Sequence, residues 1–100
     1  MYKKGSVNQV KKGYAMLFTS NRKFMSSKVL KMYFWEEKPS AYDAMCLIEV
    51  VYDQLDCGLD MPCTISDLYC HVFEAVEVDG SLKVYGDSLS VYGGWDTNVL

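Results

Sequence analysis

The sequence predicts a small single α+β domain over residues 1–100, an antiparallel sheet of about five strands packed on one long helix, with a short second helix beside it. Three observations carry this. Residues 41–57 repeat apolar side chains at three- and four-residue spacing, which is one face of a helix. Short runs of Val, Tyr, Phe and Leu lie on both sides of that stretch and suit strands. Asp79-Gly80 between alternating segments is a hairpin signal, because both central residues of a type I′ turn need positive φ. Half of the chain is apolar and 14% aromatic, enough to fill one modest core.

Residues 1–12 hold too few apolar side chains to place and read as a basic arm or an edge strand. Residues 14–19 and 29–35 read as strands joined by the polar, basic segment 20–27. Ser40-Ala41-Tyr42-Asp43 fits a capping box, and Ala41, Ala44, Met45, Ile48, Val51, Tyr52 and Leu55 follow on one helical face until Gly58. A second box, Thr64-Ile65-Ser66-Asp67, predicts a short helix over 65–71. Strands are expected at 73–78, 81–85 and 89–92, with Gly86-Asp87 turning between the last two and residues 95–100 as a tail.

Charge is segregated along the chain. The first 35 residues carry eight cations and no carboxylate, and the remaining 65 carry all 13 carboxylates against Lys38 and Lys83, so a net charge of −3 conceals +8 followed by −11. Such polarity bears on partners rather than on fold. No apolar run reaches the ~20 residues of a membrane span, and the N-terminus lacks a signal-peptide pattern, so a cytoplasmic protein without a membrane partner is expected. Without export, Cys46, Cys57, Cys63 and Cys70 read as reduced thiols, with Cys46 and Cys70 shielded in the core.

Catalytic and metal motifs are missing from the pattern. Cys57, Cys63, Cys70 and His71 do not fall in the close pairs that zinc sites use, and adjacent Cys70 and His71 cannot face one ion, so no metal and no cofactor is expected. The one histidine, His71, could meet Glu74 only if a helix continued through both, and the glycines fit no phosphate loop. The chain therefore reads as a non-enzymatic protein.

Two charged surfaces remain as candidates. Glu49, Asp53 and Asp56 are four and three residues apart on the long helix, with Asp43 and Asp60 continuing the sign, and such a face suits a basic, nucleic-acid-handling protein that it would block. The alternative is direct nucleic-acid binding by Lys11, Lys12, Arg22, Lys23, Lys28 and Lys31 with the aromatics interleaved among them. A third reading joins opposite-charge faces of identical subunits into a homo-oligomer. In size, acidity and lack of catalytic motifs the chain resembles small bacteriophage inhibitors such as anti-restriction and anti-CRISPR proteins, which implies an interaction protein by analogy of composition only.

Overall fold

A computed structural model describes residues 10–24, 28–55 and 64–93. Four antiparallel strands, β1 (Val10–Thr19), β2 (Lys31–Trp35), β3 (Tyr69–Val78) and β4 (Ser81–Gly93), form one sheet in the order β2-β1-β3-β4. One helix, α1 (Ala41–Gln54), covers one face of it. The small α+β domain with a single antiparallel sheet is therefore as expected. Among the described residues no helix is long and apolar enough to cross a membrane.

Alternation along the two central strands sorts their side chains onto two faces. Met16, Phe18, Cys70 and Val72 point toward α1 and pack with Ala44, Met45, Ile48 and Val51. Ala15, Leu17, Phe73 and Ala75 point the other way, where Phe24 of the β1–β2 connection and Leu82 pack on them. At the start of β1, Gly13 lets the neighbouring strand close in. A Cβ there would fall on the Trp35 carbonyl oxygen and lie 2.7 Å from Phe34 Cζ.

Local signals with a local cause hold. Ser40 Oγ accepts from the Asp43 N–H and Asp43 Oδ2 accepts from the Ser40 N–H, both at 3.1 Å, which closes the capping box at the start of α1. Asp79 and Gly80 have φ of 51° and 84°, the pair of positive angles that the β3–β4 turn demands.

Other expectations are corrected. The helix predicted over 65–71 shrinks to a 3₁₀ turn, Ile65–Asp67, where Thr64 Oγ1 donates to Asp67 Oδ2 at 2.8 Å and makes no side-chain cap to the backbone. The chain then enters β3 at Tyr69, because ten successive residues pair with β1 and this non-local ladder outweighs helical spacing. α1 ends at Gln54, with Leu55 already extended, rather than near residue 57. Lys11 and Lys12 belong to β1 and not to an arm. Cys46 is exposed while Cys70 is buried. Gly58 and its turn, the rest of the arm and the tail lie outside the described residues.

The strands expected at 81–85 and 89–92 are one strand. Val72 pairs with Ser90 and Glu74 with Tyr85, so two steps along β3 meet five along β4, and three extra residues are taken up around Gly86 at φ 60°. Gly86-Asp87 bends the strand without reversing it.

Candidate functional site

The helix presents a stripe away from the sheet. Tyr42, Cys46, Glu49 and Asp53 follow one another at four-, three- and four-residue intervals, with Val50 next to Glu49 at the margin of the stripe; all five are exposed, and Tyr42 and Val50 keep 76% and 45% of their surface open. The Tyr42 hydroxyl is pushed above its ordinary value, chiefly by its hydrogen bond to Cys46, with the Asp43 and Glu49 charges adding a smaller push.

Of the five predicted acidic residues, Glu49 and Asp53 share this stripe. Asp43 sits at the margin of the stripe on the Val50 side, but it is half-buried and its carboxylate is committed to the Ser40 N–H. Asp56 and Asp60 lie outside the described residues. Tyr42 and Val50, which pattern reading passed over, are identified by a simple signal: they are apolar positions off the buried face of a helix.

α1 contains three carboxylates and no cation. Asp53 also sits in its last turn, where the helix dipole is negative and a carboxylate costs about 0.3–1 kcal/mol. Helix stability does not account for its presence.

The six predicted basic residues do not form one patch. Lys11 and Lys12 lie at the start of β1, with Lys11 opposite Glu77 on β3. Arg22, Lys23, Lys28 and Lys31 are exposed at the other end, about 23 Å away at 3.3 Å per strand residue. Their aromatic neighbours are largely occupied. Phe18 is fully buried and meets Tyr33 edge-on at 5.9 Å, Tyr14 and Trp35 pack against the helix-side core, and Lys31 Nζ rests 5.8 Å from the Tyr33 ring.

His71 stands apart from Glu74, since the two project from opposite faces of β3. Its ring is fully buried, with Nε2 2.8 Å from Thr19 Oγ1 and 3.2 Å from the Asn21 carbonyl oxygen, while Nδ1 has no partner. Cys70 points into the α1-side core, so the adjacent thiol and imidazole are on different faces. Among the described residues no group of three or more metal-ligating side chains comes together, and Cys57 and Cys63 lie outside them.

Two concavities flank the sheet. One, of about 450 Å³, runs along the row Tyr14, Glu74 and Tyr85 with Lys12 and Glu36 at its rim. The other, of about 690 Å³, is a groove on the face opposite α1, beside the slipped segment of β4. The chain matches no protein-family model, and no curated protein and no solved structure is significantly similar to it.

Proposed function

We propose that the protein is a non-enzymatic interaction protein that docks the outward stripe of α1 on a basic, nucleic-acid-handling protein and blocks it. The observation that carries this reading is the composition of the stripe: the carboxylates of Glu49 and Asp53 alternate with the exposed Tyr42 and Val50 on a helix without a cation. Carboxylates supply complementarity to a basic surface and steer the encounter. An exposed tyrosine beside them is the kind of rigid anchor that dominates protein interfaces, and that need not accompany a solvated charged face.

Asp53 gives the reading a test in which stability and function move in opposite directions. Asp53→Lys removes a carboxylate from the negative end of the helix and should stabilise the fold by roughly 0.3–1 kcal/mol. The same change, combined with Glu49→Lys, should abolish capture of the partner from a lysate of the source organism. Tyr42→Ala should weaken that capture with the fold intact. Retained capture by the double variant, or salt-sensitive binding of oligonucleotides lost instead on reversing Arg22, Lys23, Lys28 and Lys31, would overturn the proposal.

A further inference from the structure

The groove on the sheet face opposite α1 has the build of a small-molecule site, and we infer that it binds an amphipathic anion, an apolar chain ending in a carboxylate. Its floor is Leu17 and Phe73, each 4% exposed, and its walls are Phe24 and Val84. Arg22 and Lys23 stand at its rim. The volume of about 690 Å³ falls within the range of about 300–1,000 Å³ that small-ligand sites occupy, and an apolar lining with a few convergent polar groups is their usual composition.

The groove has a structural cause. A regular β4 would place a residue directly opposite Phe73, but the register slip between Val72 and Glu74 leaves Phe73 paired with Ala15 of β1 and without a partner on β4, and the displaced Gly86, Asp87 and Ser88 line the opening. The strand is re-aimed where it would otherwise cover an aromatic ring. Behind the Phe24 wall, at 5.5 Å between ring centroids, lies His71, whose Nδ1 is the one buried side-chain polar atom without a partner among the described residues. Hydrogen bonding is thus left incomplete on this side.

Charge selects the ligand. Among the described lining residues two cations, Arg22 and Lys23, stand against one carboxylate, Asp87, so this lining favours a negative head, and the Arg22 guanidinium can hold a carboxylate through two parallel bonds. The apolar floor requires a tail. A fatty-acyl carboxylate meets both demands, whereas an inorganic anion meets only the first.

Decanoate, kept below micelle formation, is the probe, with decanol as its neutral counterpart, and ¹H–¹⁵N correlation spectra are the readout. Saturable shifts centred on Leu17, Phe24, Phe73, Val84 and Ser88 are expected, with decanol bound at least about threefold more weakly. Reversing Arg22 and Lys23 together to glutamate should weaken decanoate about tenfold and leave decanol within about twofold. Val84→Asp, at a position already 38% exposed and so compatible with folding, should abolish both. Non-saturable shifts, shifts centred elsewhere, or equal binding of the two probes unaffected by the charge reversal would overturn the inference.

Discussion

His71 Nε2 and Thr19 Oγ1 meet at 2.8 Å inside the protein, joining β3 to the end of β1. The Thr19 hydroxyl donates to the Asn21 carbonyl at 2.7 Å, and its oxygen accepts from the Asn21 N–H at 3.3 Å. That arrangement places the imidazole hydrogen on Nε2, from which it is donated to the threonine oxygen and the same carbonyl, and leaves Nδ1 as a bare, buried acceptor. The loop carrying Arg22, Lys23 and Phe24 is therefore tied to the sheet through one neutral histidine.

Acid should loosen this tie. Burial holds the His71 imidazole below its ordinary value of 6.5, the Asn21 carbonyl opposing weakly. Because the folded value is the lower one, the unfolded chain takes up this proton first. The stability contribution is complete above about pH 6.5 and is lost as pH falls from there toward the folded value. Urea midpoints should drop between pH 7 and pH 5 in the natural protein and drop less in His71→Gln. Equal slopes for the two would count against the assignment.

The thiols should separate by reactivity. Burial pushes the Cys70 thiol up to about 12, whereas Cys46 is exposed on the stripe of α1. Iodoacetamide at pH 8 should label Cys46 in the native protein and reach Cys70 only after denaturation, as read by peptide mass spectrometry. Rapid native labelling of Cys70 would mean that the α1-side core opens easily.

At the β3–β4 turn the strain is purely one of backbone. A Cβ on Gly80 would meet nothing within 4 Å, yet its φ of 84° excludes a β-branched residue. Gly80→Val should cost about 1–3 kcal/mol, measured as a lower urea midpoint, and Gly80→Asn should cost much less.

Gly13 fails for a different reason. Its replacement by Ala has to displace the Trp35 carbonyl and the Phe34 ring, so a loss of about 1–3 kcal/mol is expected although the added group is only a methyl. A midpoint unchanged in Gly13→Ala would show that β2 can move off β1 without cost.

What was legible in the sequence followed the range of the forces involved. The Ser40–Asp43 box and the Asp79-Gly80 turn are fixed within four residues, and both stood out. The second half of β3 was legible from the alternation after Phe73, but its first half was not, because His71, Val72 and Phe73 are all buried in a central strand and the polar half of the alternation is missing there. Gly86-Asp87 announced an unusual backbone angle, but whether the chain reverses there depends on β3 running on beside it. Glu49 and Asp53 were readable from spacing alone, whereas the groove draws Leu17, Phe24, Phe73 and Val84 from separate stretches and leaves no linear trace.

The slip in β4 also bears on how well this edge of the sheet can pair with a strand of another chain. β4 is an edge strand of 13 residues, long enough to offer another chain a row of unpaired amides and carbonyls. The irregularity around Gly86 divides that row into two stretches that are out of phase by three residues, so an incoming strand in register with one is out of register with the other. A feature that opens a groove on one face thereby also shortens the continuous template that the edge presents.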